Sequence, residues 1–566
     1  MSEVALNSNL TRRANSQGGE DALYKRQSPA GHGEIELVDY MGNDEMVARV
    51  ATAGHGIGIF KERLHQRDFL GHLVASGIYD PFSAVQLKFS MQMPIREALT
   101  FVYDRSGSVN EYSGRYSEMI NSARVPSLEA VSTLVENPDK AREIQTILAD
   151  TRRKVRGNYD SLLAIDFARE LARTGLGTNN DTRFYWLMDL PSLASFVSIN
   201  RLKLDKNDPT REYVECIFDI AGRVAPDTWA TLMNTGDKLK LNLTMPSDEE
   251  VVDVDLNPSS WSQNSTRRVI VPEVEAKLFA LNKFLDHGQF QVTDYMGDDA
   301  GLAQAARASY GKGTVKVSED RGLIRTLVRD AHTSPIEMAR LAFESRTPIF
   351  TDPRQAARHR TLKQHGFMGY TPVGSLFYNP ADSEMKYQDR VNRQGRGKSM
   401  EKEHIKIVRK ELGESVSTEL DAVKRLRGLG APEDLVREVK GVGFHTRRWR
   451  VGDTHNLGHF LDLRLDAHAQ MEVRAYAEQV EDAVKAHTPI AYQAIRDYKI
   501  DGMRLSAQEI ELLKQKGIPT NLNAISNPEF FLKVSGFALS KDGILKLSRE
   551  GEGFQKKLKR LIKEQQ

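Results

Sequence analysis

Cysteine is almost absent from this 566-residue chain, with Cys216 the only one. A single thiol excludes an intrachain disulfide and a cysteine-based zinc site, and it fits a reducing cytoplasm. Net charge is nearly absent as well. Seventy-nine Lys and Arg against 77 Asp and Glu leave +2, with a sequence pI near 8.3. That balance argues against a nucleic-acid partner, local basic patches aside. Long apolar runs are missing, and the stretch from Met1 to Gly33 has no apolar centre. We therefore expect neither signal peptide nor transmembrane segment, no membrane partner, and a cytoplasmic location. No Gly-x-x-x-x-Gly-Lys loop occurs, and Gly54-His-Gly-Ile-Gly58 lacks the spacing of a dinucleotide fingerprint.

What is present is an ordinary globular composition, 40% hydrophobic and 8% aromatic. One polar stretch stands out, Asp104-Arg-Ser-Gly-Ser-Val-Asn-Glu-Tyr-Ser-Gly-Arg-Tyr-Ser117. Its glycines and hydroxyls describe a loop whose backbone can approach a ligand closely. Arg105, Arg115 and Asn110 can grip a phosphate or a planar polar ring. A polar surface loop is the plain alternative.

A second stretch, Asp352-Pro-Arg-Gln-Ala-Ala-Arg-His-Arg-Thr361, stands in the same frame. Both follow an alternating run ending in Pro-Ile, Leu87 to Ile95 and Leu341 to Ile349. Upstream, Tyr40-Met-Gly is echoed by Tyr295-Met-Gly. The spacing recurs at two points: 295 − 40 = 255, and 358 − 103 = 255. The chain is a tandem repeat of one domain, diverged at its polar positions.

The expected organisation follows. Residues 1–33 read as a disordered tail and 34–237 as the first domain. Residues 238–268 read as a linker and 269–500 as the second domain. Residues 501–566 form an extension ending in a basic amphipathic helical segment, Lys556 to Lys563. Asp352 and Pro353 supply a cap and first turn for a short helix carrying Arg358, His359 and Arg360. Residues 388–410 are strongly charged and read as an exposed helical insertion.

Strand, Pro-Ile, helix and then an Arg-His-Arg block resemble the signature of the flavin-dependent thymidylate synthases. The first repeat keeps Arg105 and Ser108 to Tyr116, with Tyr103 and Asp104 where the family has Arg and His. The second keeps Gln355, Arg358, His359 and Arg360, with His365, Gly366, Met368 and Tyr370 where the family has Asn, Glu, Ser and Arg. The losses are complementary.

The resemblance implies an α/β fold of the α+β type, with a β-sheet and packed helices in each of two domains. It implies reductive methylation of dUMP to dTMP, with FAD as cofactor and NADPH and methylenetetrahydrofolate as co-substrates. It places Glu111, Ser113, Gly114, Arg115, Gln355, Arg437 and Arg464 at the substrate; Arg173 is the first-repeat match to Arg437. It places Asn110, Ser309, Arg358, His359, Arg360, Asp453, His455 and His459 at the flavin. In the family such groups come from different subunits. A homodimer, equivalent to four domains, would then build a composite site from both repeats. Lys203 stands where Arg464 has its counterpart, and lysine lacks a planar two-donor edge.

Other readings remain at this stage. Ala51, Ala84 and Met338 depart from the family near the flavin, which suits a nucleotide- or flavin-binding pseudoenzyme. A related flavoenzyme acting on another pyrimidine nucleotide is a further option. His455 and His459 lie four apart with Asp453, Asp466, His468 and Glu472 nearby, a spacing compatible with a metal-dependent hydrolase. No His-Glu-x-x-His accompanies them.

Overall fold

The computed structural model describes residues 9–53, 63–104, 106–115, 117–234, 264–308, 317–351, 372–389, 396–431, 433–466, 469–502, 538–539 and 545–546. The architecture is α+β, with one antiparallel sheet per repeat and helices packed on its inner face. Among the described residues no helix is long and apolar enough to cross a membrane.

The first described elements are a short strand, β1 (Asn9–Thr11), and helix α1 (Gln17–Ala22), capped by Ser16. Strand β2 (Glu34–Met41) ends at Gly42, whose φ of +76° suits glycine. Helix α2 (Asp44–Ala53) follows. Strand β3 (Gln86–Pro94) leads through Pro94 into α3 (Ile95–Val102), and β4 (Ser108–Glu111) comes next. The long α4 (Pro138–Ala164) starts with an Asn137 cap and Pro138 in its first turn. Strand β5 (Asp181–Asp189), α5 (Leu190–Lys203) and α6 (Pro209–Val224) follow, with Asp189 and Asp208 capping the two helices, and a short helix over Pro226–Met233 comes after them. The sheet order is β2-β3-β5-β4. Leu87, Phe89 and Met91 alternate inward on β3, as a half-buried strand requires.

The second repeat retraces this path. It runs β6 (Asn264–Thr266), β7 (Asn282–Phe284), β8 (Gly288–Met296), α7 (Asp299–Ala308), β9 (Arg340–Pro348) and β10 (Pro372–Phe377). A hairpin of β11 (Lys386–Gln388) and β12 (Arg396–Ser399) precedes α8 (Lys402–Gly428). Strand β13 (Phe444–Asp453), α9 (Thr454–Arg464) and α10 (Met471–His487) close it. The sheet order is β10-β13-β9-β8-β7. Even the bulges coincide: pairing shifts between Leu37 and Asp39 in one sheet and between Val292 and Asp294 in the other.

Three readings change. The disordered tail is instead a strap over residues 9–33, and the stretch read as a linker ends in a strand. β1 and β6 pair antiparallel, Leu10 opposite Ser265, and each strap then reaches into the other repeat. Arg13 donates to Tyr295 O at 3.0 Å and Val269 O at 2.8 Å, while Arg268 donates to Tyr40 O at 3.2 Å and Ala14 O at 2.9 Å. Each guanidinium lies on a tyrosine ring, 4.0 Å from Tyr295 and 4.3 Å from Tyr40, and faces Glu275 or Glu20. Gly42 N donates to Asp294 and Gly297 N to Asp39, both at 3.0 Å. Polarity marked the segment as a tail, but its polar groups find partners in the opposite repeat. The 388–410 insertion is also corrected: it begins as the β11–β12 hairpin, anchored where Arg396 meets the buried Glu472.

Candidate functional site

The polar stretch Asp104–Ser117 is half strand. Ser108 to Glu111 pair with β5, Asn110 opposite Tyr185 and Glu111 opposite Phe184. Alternation along a strand sends neighbouring side chains to opposite faces. Ser108 and Asn110 turn to the second repeat. Arg340 donates to Ser108 Oγ at 3.0 Å, and the Asn110 amide donates to Ala305 O at 2.6 Å while accepting from Ser334 Oγ at 3.0 Å. Asn110, expected at the flavin, has both ends of its amide engaged in the junction between repeats.

Beyond the strand the chain turns over a small cluster of Met119, Tyr159 and Ala172. Tyr159 OH accepts from Met119 N at 2.8 Å and fixes that turn. Gly114 lies against Arg173: a Cβ there would collide with Met119 Sδ and sit 3.1 Å from Arg173 Cδ. Glycine is what lets this arginine lie along the backbone. Glu111 accepts from Thr182 Oγ1 at 2.8 Å. Burial raises the pKa of its carboxyl, against that hydrogen bond and the charge of Arg173. Arg115 Nε meets Glu170 at 3.0 Å with its side chain 64% exposed, and Ser113 Oγ accepts from Arg115 N at 3.4 Å. Glu111, Ser113, Gly114, Arg115 and Arg173 thus share one surface, with an available guanidinium and a backbone free of a side chain. Arg105 and Tyr116 lie outside the described residues.

In the second repeat Asp453 caps α9, accepting from Asn456 N at 2.8 Å, and stands 3.8 Å from Arg340 Nη1. Arg340 therefore links the start of α9 to Ser108 on β4, a role no sequence pattern announced. Glu337 sits in the same knot; burial first, and then the charge of Asp453, raise its pKa. His455 is pushed down by burial and by Lys499, with His459 acting in the same direction. Arg464 ends α9, about 16 Å from Asp453 at 1.5 Å per residue. Ser309, Gln355, Arg358, His359, Arg360 and His468 lie outside the described residues, as does the Arg437 side chain. Among the described residues no group of three His, Cys, Asp or Glu is placed to hold a metal.

Comparison with known proteins agrees with the twofold architecture. The family model described as thymidylate synthase complementing protein matches residues 36–227 and again 291–490. The chain is 38% identical over 275 residues to a flavin-dependent thymidylate synthase of Ruegeria pomeroyi, covering 48% of this chain and 90% of that protein. It is 39% identical over 269 residues to a protein of the same name from Rickettsia prowazekii, covering 44% of this chain and 90% of that one. A solved UMP/dUMP methylase, PolB from Streptomyces cacaoi with bound 5-Br dUMP, is 28% identical with a TM-score of 0.34, over 38% of this chain and 97% of that one.

Proposed function

Because this chain belongs to the thymidylate synthase complementing protein family through both of its repeats, we propose that it is a flavin-dependent thymidylate synthase. The reaction is the reductive methylation of dUMP to dTMP, with methylenetetrahydrofolate giving the carbon and NADPH the electrons. The observation that carries this reading is the surface made by Gly114, Arg115 and Arg173. A phosphate dianion needs cations and neutral donors together. Arg115 and Arg173 supply the cations, and Ser113 with the loop backbone supplies the donors. Glu111, held by Thr182, can accept from a sugar hydroxyl.

The described residues at α9 fit an FAD. The His455 imidazole, its pKa lowered chiefly by burial, offers ring nitrogens that can hydrogen-bond a planar ring. Arg358, His359 and Arg360 would hold the pyrophosphate, with Ser309, Asp453 and His459 near the flavin. When bound, FAD carries the hydride to the transferred carbon. This chain's own residues position the nucleotide and screen its charge.

The site is composite. Glu111, Ser113, Gly114 and Arg115 from a first-repeat domain face Gln355, Arg358, Arg437 and Arg464 from a second-repeat domain of another copy, so a homodimer holds two sites, one dUMP per chain. The opposite pairing sets Asp104 where a dianion should sit, which repulsion disfavours. Calorimetric titration tests the reading. One dUMP per chain is expected, and Arg115→Ala should weaken binding on the order of a hundredfold. Two dUMP per chain, or undiminished affinity in the variant, would remove the composite site.

A further inference from the structure

Both repeats make the same turn after the Pro-Ile step and dress it differently. In the first, Ile95 N donates to Asn180 O at 2.8 Å and Arg96 N to Thr178 O at 3.0 Å. In the second, Ile349 N donates to Phe444 O at 2.9 Å and Phe350 N to Val442 O at 3.0 Å. A third bond completes the match: Arg124 N donates to Asn179 O and Tyr378 N to Gly443 O, each at 2.9 Å. Arg96 therefore stands where Phe350 does, Glu97 where Thr351 does, and Arg124 where Tyr378 does. In the second repeat the two rings pack with centres 5.6 Å apart, and Tyr378 is buried. In the first repeat charged groups take their places, and a cleft of about 480 Å³ lies between this turn and α4.

The charged lining is three guanidiniums, Arg96, Arg124 and Arg152, and one carboxylate, Glu97. The excess is two positive charges, 3 − 1 = 2. Glu97 is 2% exposed, and its Oε1 meets Arg124 Nη2 at 2.7 Å. Its Oε2 has no hydrogen-bond partner among the described residues. On the α4 side, Arg152 Nη2 reaches Asn121 Oδ1 at 3.4 Å, while its buried Nε has no partner among the described residues. Buried polar atoms left unpaired cost free energy, so this lining is one acceptor and one donor short. A turn that served packing alone would do better with the aromatic pair of the second repeat. Thr151 and Thr178 add hydroxyls to the same wall.

We propose that this cleft, apart from the Glu111–Arg115 surface, binds a nucleoside di- or triphosphate by its phosphoanhydride chain. Guanidiniums supplied from three separate pieces of chain suit an extended anion, each phosphoryl group meeting one of them. The Thr151 and Thr178 hydroxyls serve as neutral donors beside them. A sugar hydroxyl or base amine donates to Glu97, whose other oxygen keeps Arg124 in place. The aromatic counterpart closes the second repeat, so there is one such site per chain.

CTP and inorganic pyrophosphate are the probes, titrated by calorimetry into the full chain at saturating dUMP. One equivalent of CTP per chain is expected, weakened about tenfold by Arg96→Ala and by Arg152→Ala. Pyrophosphate brings no sugar or base and should bind about tenfold more weakly than CTP. Equal affinity would overturn the Glu97 contact. The triple variant Arg96→Phe, Glu97→Thr, Arg124→Tyr copies the second repeat and removes the buried ion pair as a unit. It should abolish CTP binding. If CTP does not bind at millimolar concentration, or if Arg96→Ala and Arg152→Ala both bind it as the parent does, the proposal fails. Titration with dUMP alone reports on the first surface in each variant, so the two readings fail independently.

Discussion

The two repeats agree most where they hold each other and least on the sheet faces that carry Ser90 and Glu344. Thr11 and Thr266, Arg13 and Arg268, Glu20 and Glu275, Asp39 and Asp294, Tyr40 and Tyr295, Gly42 and Gly297 are identical pairs in identical roles. On the outer sheet faces the counterparts are Ser90 and Glu344, Glu36 and Gln291. The junction is a reciprocal exchange, in which each strap must satisfy a partner built like itself. Those sheet faces carry no such obligation, so their side chains can differ between the repeats.

The sharpest way to break this comparison is at the straps. Arg268→Ala leaves the buried Glu20, and Arg13→Ala the partly buried Glu275, without its cation, a loss of up to about 3–5 kcal/mol. Denaturant unfolding should show the two variants equally destabilised. A large difference between them would mean that the symmetry is only geometric.

The second test lies at the diverged positions. Arg173→Ala and Arg464→Ala, in different repeats, should each weaken dUMP about a hundredfold. Lys203→Ala should leave affinity unchanged, because its repeat contributes a different part of the site. Equilibrium binding on all three variants decides it.

The third concerns Asp299, which holds the backbone N–H groups of Ile490 and Ala491 at 2.7 and 3.0 Å, as Asp44 holds those of Asp227 and Thr228. Burial raises the Asp299 pKa to about 6. The folded state therefore binds this proton more tightly than the unfolded state. The resulting stability is full below an unfolded pKa near 4 and is lost as pH rises through about 6. Asp299→Asn should remove that slope, a difference of about 2 kcal/mol between pH 4 and pH 7 relative to the parent. Asp44→Asn should show the same sign, since burial raises that carboxyl too. The smallest effect belongs to Glu170→Ala. Its pair with Arg115 is exposed, so stability should change by less than about 0.5 kcal/mol.

Much of the fold was legible because a spacing of 254 to 255 joins the matching blocks, 295 − 40 = 255 and 341 − 87 = 254. The strand–Pro-Ile–helix frame of Leu87 to Ile95 appears as β3 and α3, with the apolar residues inward. The straps were missed although the same spacing joins Thr11-Arg-Arg13 to Thr266-Arg-Arg268. Short polar segments have no periodicity, so only the echo could reveal them. At the site, Gly114 and Arg115 were visible as residue types, whereas the packing of Arg173 on Gly114 depends on the turn over Tyr159. Asn110 reads as a ligand contact in a motif, but the strand turns its amide toward Ala305. Arg340 was silent because a single arginine in an alternating strand carries no pattern.

The exchanged straps also bear on how the chain is made. Arg13 precedes its acceptor at Tyr295 by 282 positions. At about 5–20 residues per second, synthesis of that interval takes on the order of 15 to 60 s. Until then the emerging first repeat lacks both the acceptor for its own strap and the guanidinium of Arg268 that lies on Tyr40. The first repeat is thus translated long before it can be finished. Its last piece arrives with the second, so the ribosome delivers the two as one folding unit.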